Sequence, residues 1–157
     1  MIVRVTAEET YPLRQQVLRP HQSIAEVGFP GEDDPATAHF ARRDQGDQRD
    51  GDGQIVGIVT VLRQDPDPPI TDATWWRLRG MATAVDQRGQ GVGMALVQAA
   101  LAHVAAEHGT GLWCNARRSA VGFYCKAGFV TTGQEWEEPG LGPHIRMWLP
   151  LPHPGEA

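Results

Sequence analysis

The segment Arg88-Gly89-Gln90-Gly91-Val92-Gly93 constrains this chain most, because of what stands on either side of it. Before it, Thr74 to Val85 is rich in Trp and β-branched neighbours and predicts a long strand. After it, Met94, Val97, Leu101 and Val104 recur at helical spacing and predict a helix, with Gly109 as its stop. A glycine-rich passage from strand to helix is an anion site for a physical reason. The first turn of a helix has N–H groups without internal partners, and the helix dipole adds partial positive charge there. Gly89, Gly91 and Gly93 let the backbone approach a phosphate with no Cβ in the way, and Arg88 adds a fixed positive charge at the mouth. A P-loop would need Gly-Lys-Ser/Thr here and a dinucleotide fingerprint would need G-x-G-x-x-G, and neither spacing is present.

A local anion site matters because the chain as a whole is acidic. Its net charge of −5 excludes general nucleic-acid binding, which needs a basic surface. With 157 residues, 41% of them apolar, it fits one domain over residues 1–150, with 151–157 as a loose Pro-rich tail. No apolar run is long enough to span a bilayer and no signal-peptide pattern opens the chain, so a cytoplasmic location with no membrane partner is expected. Cys114 and Cys125 form neither a metal-ligand pattern nor a disulfide framework, and both are expected to be small buried or half-buried residues. His103 and His108 are off the spacing that a helical metal pair needs, so no metal is expected.

The remaining elements follow from periodicity and punctuation. Met1 to Val5 alternates as a strand. Thr6 and Glu9 have capping-box spacing ahead of the stripe Leu13, Val17, Leu18, with Pro12 expected in the first turn and Pro20 closing the helix. His21 to Pro35 reads as a loop with room for a short helix. Ala38 to Arg42 and Ile55 to Leu62 read as a hairpin, with turn chemistry in Asp50-Gly51-Asp52-Gly53. Those aspartates lack the glycine and glutamate of a calcium loop. Gly111 to Ala116 predicts a strand, Ser119 caps a short helix ending at Gly128, and strands follow from Phe129 and over Ile145 to Leu149. The tryptophans, Trp75 and Trp76 among them, are expected in the core rather than as a stacking platform.

The R-x-x-G-x-G pattern at Arg88, Gly91 and Gly93 resembles the pyrophosphate-binding motif of the GNAT acetyltransferases. Leu78-Arg79-Gly80-Met81-Ala82 looks like that family's fourth strand and Leu112 to Arg117 like its fifth. Ala120-Val121-Gly122-Phe123-Tyr124-Cys125-Lys126-Ala127-Gly128-Phe129 matches its A-x-x-F-Y-x-K-x-G-F pattern, and Gly142-Pro143-His144 resembles a subset of small bacterial members. The resemblance runs from about Met1 to Leu149. It implies an α/β fold with a mixed, mostly antiparallel sheet of six to seven strands, splayed between the fourth and fifth and flanked by about four helices. Two departures stand out. Val85 occupies a position that is often Pro, and the fourth strand offers Arg77 and Arg79 where histone-directed members carry a glutamate base.

The resemblance also implies an activity: direct attack of a primary amine of a small molecule, amino acid or peptide on the thioester of acetyl-CoA. The backbone of Met81, Ala82 and Thr83 would pair with the pantetheine arm. Arg88, Gly89, Gln90, Gly91, Val92, Gly93 and Met94 would take the pyrophosphate, and Asn115 would hydrogen-bond the cofactor. Tyr124 would meet the cofactor and protonate the leaving thiolate, since a phenol donates a proton at neutral pH without being ionised. His144, Glu135 and Glu137 are the candidate bases, beside relay through water. Arg79, Arg117 and His39 are candidates for an acceptor pocket that suits an acidic group. The rival reading is a non-catalytic acyl-CoA sensor that keeps the loop and has lost transfer. A homodimer is the oligomeric expectation.

Overall fold

The computed structural model describes residues 1–44, 53–69 and 73–151. Asp50 to Asp52 of the expected turn and the 152–157 tail lie outside the described residues. Seven strands form one sheet: β1 (Ile2–Val5), β2 (Ala38–Arg43), β3 (Ile55–Arg63), β4 (Trp75–Thr83), β5 (Gly111–Arg117), β6 (Val130–Glu138) and β7 (Gly142–Pro150). Their order is β1-β2-β3-β4-β5-β7-β6, antiparallel throughout except for the parallel β4–β5 pair. The described residues hold three α-helices rather than the four expected: α1 (Ala7–Leu18), α2 (Val92–Ala106) and α3 (Val121–Lys126), with short 3-10 turns at Ile24–Glu26, Val85–Gln87 and Arg118–Ala120.

Strand β3 is buried along nearly its whole length because a helix covers each face. Ile58 packs with Leu13 of α1 and with Ala82 on one side. Val59 and Val61 pack with Leu78 of β4 and with Val92, Leu96, Val97, Ala100 and Val104 of α2 on the other. The buried face of α2 therefore includes Leu96 and Ala100, while Met94 and Leu101 are only half-buried. Trp75 and Trp76 are core residues, as expected.

Local physics moved several expected boundaries. The Thr6–Glu9 capping box forms on α1, but Pro12 lies inside that helix rather than in its first turn. At the end of α2 the left-handed residue is His108, with φ 61°, and not Gly109. The His108 and Gly109 N–H groups donate to the Ala105 and Val104 carbonyls, a Schellman closure. Gly109 is needed for closeness instead, since a Cβ there would stand 2.5 Å from both Trp76 and Val104. Ser119 sits within a 3-10 turn and caps nothing, because α3 begins from Ala120. Cys114 is buried as expected, whereas Cys125 is exposed.

Two irregularities in β4 open the sheet. Its pairing with β5 covers only Trp75–Arg77 against Gly111–Trp113, so the strands part beyond Arg77. On its other edge the register with β3 jumps between Ile58 and Thr60, so Gly80 and Met81 together oppose Val59. Gly80 has φ +61°, as the first residue of a glycine bulge requires. The extra residue reverses the alternation: Leu78 faces α2, yet Ala82, four positions on, packs on the α1 side.

Candidate active site

Where β4 and β5 part there is a cleft of about 370 Å³. One wall is β4 from Arg77 to Met81 and the other is β5 from Cys114 to Arg117, with Tyr124 of α3 and His144 of β7 beside it. Segment Val27–Phe29 and residues of α1 line it from the α1 side of the sheet. Leu78 to Thr83 lack β5 as a partner, so the backbone edge of β4 facing that strand is open to a ligand.

The two long helices begin differently. The N-terminus of α1 is sealed by its capping box. The N-terminus of α2 starts at Gly91, in left-handed conformation with φ 79°, and has no side-chain cap and no acidic residue in its first turn. Its first helical bond runs from Ala95 N–H to the Gly91 carbonyl, which leaves Val92, Gly93 and Met94 with free N–H groups. Gly89 (φ +81°) and Gly91 face open space. Gly93 is different: its missing Cβ makes room for Phe123 of α3, which one would meet at 3.1 Å. Arg88 is exposed, with Nε donating to the Thr83 carbonyl at 3.4 Å. It borders a second cavity of about 600 Å³ beside the Val85–Gln87 turn, reaching Leu13, Gln16 and Val17 of α1.

Tyr124 is buried, and its ring stands edge-on to Phe123 and Phe129. Burial, aided by nearby Cys114, pushes its phenol well above the ordinary value of 10, so it stays protonated and has a proton to give. Its hydroxyl has no hydrogen-bond partner among the described residues. Asn115 Oδ1 is likewise buried with no partner, as a group that awaits a ligand donor would be. His144 stands opposite Arg117 across the β5–β7 pair. Its Nδ1 lies 2.9 Å from the Gly142 carbonyl, which can only accept, so Nδ1 carries the hydrogen and neutral Nε2 is left as a proton acceptor.

Not every expected residue reaches the cleft. Glu135 and Glu137 are exposed and do not line it. Glu135 is ion-paired to Arg118, whose hydrogen bonds hold its carboxyl below the usual range. His39 lies behind the site, bonded to Thr60 at 2.8 Å and to the Glu32 carbonyl at 3.4 Å, and burial lowers its pKa. Residues not expected in the site do line it: Arg14, Arg19 and Arg77, together with Trp136 and Glu138. Arg14 was detectable in principle, since it falls on the same helical face as Thr10, Leu13 and Val17. No group of three or more potential metal ligands is gathered among the described residues, and no helix there is long and apolar enough to cross a membrane.

A sequence model described as "Acetyltransferase (GNAT) domain" matches residues 45–151. The chain belongs to the GNAT acetyltransferases. It is 35% identical over 148 residues to an uncharacterized N-acetyltransferase of Bacillus subtilis (strain 168), YitI, covering 94% of this chain and 93% of that one. Among solved structures, an aminoglycoside 6'-N-acetyltransferase complexed with coenzyme A superposes with TM-score 0.74 at 16% identity, over 98% of this chain and 99% of the other. The ribosomal-protein-S18-alanine N-acetyltransferase of Escherichia coli does so with TM-score 0.69 at 18% identity, over 99% and 96%. These structural likenesses concern the fold. As a GNAT N-acetyltransferase the chain uses acetyl-CoA as its acyl donor and an amine as acceptor. The free N–H groups of α2, the open glycines, the unpaired edge of β4 and the orphaned Asn115 oxygen fit that donor.

Proposed function

We propose that this enzyme passes the acetyl group directly to a primary amine of a small molecule, amino acid or peptide in the cleft between β4 and β5. The observation that carries the reading is the meeting of Tyr124, Asn115 and His144 where the β4 edge is unpaired. Acetyl-CoA supplies an acyl group already activated as a thioester. The pyrophosphate is held by the N–H groups of Val92, Gly93 and Met94, with Arg88, Gly89, Gln90 and Gly91 forming its cradle. The backbone of Met81, Ala82 and Thr83 pairs with the pantetheine amides, and a main-chain N–H there polarises the thioester carbonyl. Asn115 holds the arm from β5.

The amine nitrogen then bonds to the thioester carbon and the C–S bond breaks. Tyr124 gives its proton to the departing sulfur. The proton lost by the amine goes to His144 Nε2, directly or through water, and then to solvent. A sensor that binds acyl-CoA without transfer would have no use for a protonated, unpartnered phenol in the cleft, which favours the enzyme. Calorimetry with coenzyme A and a thiol-release assay across an amine panel test both parts. Binding with turnover supports the reading, and binding without turnover of any amine would leave the sensor in its place.

A further inference from the structure

The α1 side of the cleft carries charge that the transfer step does not use. Five arginines line it, Arg14, Arg19, Arg77, Arg79 and Arg117, against two carboxylates, Glu26 and Glu138. Arg14 is neutralised by its buried ion pair with Glu32. The other four form no ion pair among the described residues. The two carboxylates leave the cluster with an excess of positive charge: Glu26 accepts the Ser23 N–H at 2.9 Å, and Glu138 accepts the Trp136 indole N–H at 2.8 Å while its charge acts on Arg19.

What the four arginines contact is uncharged: a main-chain carbonyl and aromatic rings. Arg19 and Arg117 both donate to the Leu18 carbonyl, at 3.0 and 2.8 Å. The Arg77 guanidinium lies 4.9 Å from the Trp113 ring centre and that of Arg79 3.9 Å from the Phe29 ring centre. Arg77 Nε is buried with no partner. Gathering unbalanced cations in a half-buried cleft is costly, and an otherwise acidic chain has carboxylates to spare. Burial lowers the pKa of Arg19, Arg77 and Arg117, and burial with the neighbouring Arg77, Arg14 and Arg19 brings Arg79 down to about 9. The donor's phosphates do not explain them, because neither Arg88 nor any residue of the α2 N-terminus lines this cleft.

We infer that the acceptor is a primary amine bearing an anionic oxyacid group, a carboxylate or a phosphate, which Arg77 and Arg79 receive with Arg19 and Arg117 beside them. Guanidinium forks suit both oxyanions, and the rings under Arg77 and Arg79 fix the forks in place. A polycationic amine is a poor acceptor for the same reason. The inference rests on the reading of this cleft as the acetyl-transfer site.

The test measures thiol release from acetyl-CoA with 4-aminobutyrate against 4-aminobutyramide, phosphoethanolamine against ethanolamine, and spermidine. Coenzyme A binding is checked first by calorimetry. The expected result is kcat/KM about tenfold or more higher for an anionic amine than for its neutral partner, with spermidine lowest. The pair that shows the gap distinguishes carboxylate from phosphate. Arg79→Gln narrows that ratio by raising KM for the anionic member, and Arg79→Lys keeps part of it. Equal or reversed ratios in the wild-type enzyme overturn the inference while leaving acetyl transfer standing. Coenzyme A binding without turnover of any member also overturns the inference, and there acetyl transfer falls with it and the sensor takes its place. Failure to bind coenzyme A would remove the transfer site itself, and this inference with it.

Discussion

From Met81 to Met94 the chain offers a ligand mostly main chain: the open edge of β4, two glycines in left-handed conformation and three free N–H groups at the start of α2. Around Arg79 it offers side chains instead, gathered from α1, the segment after it, β4, β5 and β6. The first region suits a ligand that is the same for every GNAT member, the coenzyme. Main-chain recognition survives drift in side chains as long as the backbone conformation is kept. The second region suits a ligand specific to this chain, because a guanidinium or an indole there can change without disturbing the sheet. Under the proposed function the chain keeps donor recognition in its backbone and acceptor recognition in its side chains, and the two regions should fail in different ways when altered.

The largest effect should come from the residue placed between them. Tyr124→Phe removes the proton donor while keeping the ring packing against Phe123 and Phe129. It should lower kcat by about 100-fold, with KM for acetyl-CoA little changed, in steady-state thiol release. Unchanged turnover at every pH would remove Tyr124 as the acid. Next, Gly91→Val forces a β-branched residue into φ 79° at the head of α2. Coenzyme A affinity should fall by about 30-fold in calorimetry, while the ratio between anionic and neutral acceptors stays as it was.

Arg79→Met reverses that pattern. It should cost about tenfold in kcat/KM for an anionic acceptor and leave coenzyme A affinity intact. Its stability effect has an opposite sign. Arg79 holds its proton less tightly folded, at about 9, than unfolded, at the ordinary 12.5. Between those values the unfolded chain binds the extra proton, so this residue's contribution to stability rises with pH there, and below about 9 its full cost is present. At pH 7 the Met variant should therefore be as stable as the parent or more so by about 1 kcal/mol, measured by thermal unfolding. That advantage should shrink as pH is raised above about 9. Smallest of all, Arg88→Gln should weaken coenzyme A by about threefold, in a salt-dependent way, because Arg88 is exposed.

The same division explains what could be read ahead of the structure. The strand, glycine loop and helix are contiguous and pointed to the anion site at the head of α2, while the parting of β4 and β5 was implied by the family resemblance that the loop and the pattern around Tyr124 carry. Gly80 was a visible signal that went unused, since a glycine inside a strand pattern marks a bulge. The acceptor region was harder because its residues meet only through the fold. Arg79 and Arg117 were singled out. Arg14, Arg19 and Arg77 were not expected to join them, and His39, one strand further back, was expected in the pocket but bonds to Thr60 behind it. The misplaced helix signals share a cause. Pro12, Gly109 and Ser119 were assigned the roles their residue types favour, whereas the start of α1 behind its Thr6 cap, packing against Trp76 and the 3-10 turn before α3 respectively decided otherwise.

The measurement that bears most directly on this account is a crystal structure of the enzyme with coenzyme A and an anionic amine. The account predicts the pyrophosphate on the N–H groups of Val92 to Met94, the arm along Met81 to Thr83, and the sulfur within hydrogen-bond reach of the Tyr124 hydroxyl. The acceptor's oxyanion should lie on Arg77 and Arg79. A sulfur turned away from Tyr124, or a coenzyme bound outside the gap between β4 and β5, would contradict it.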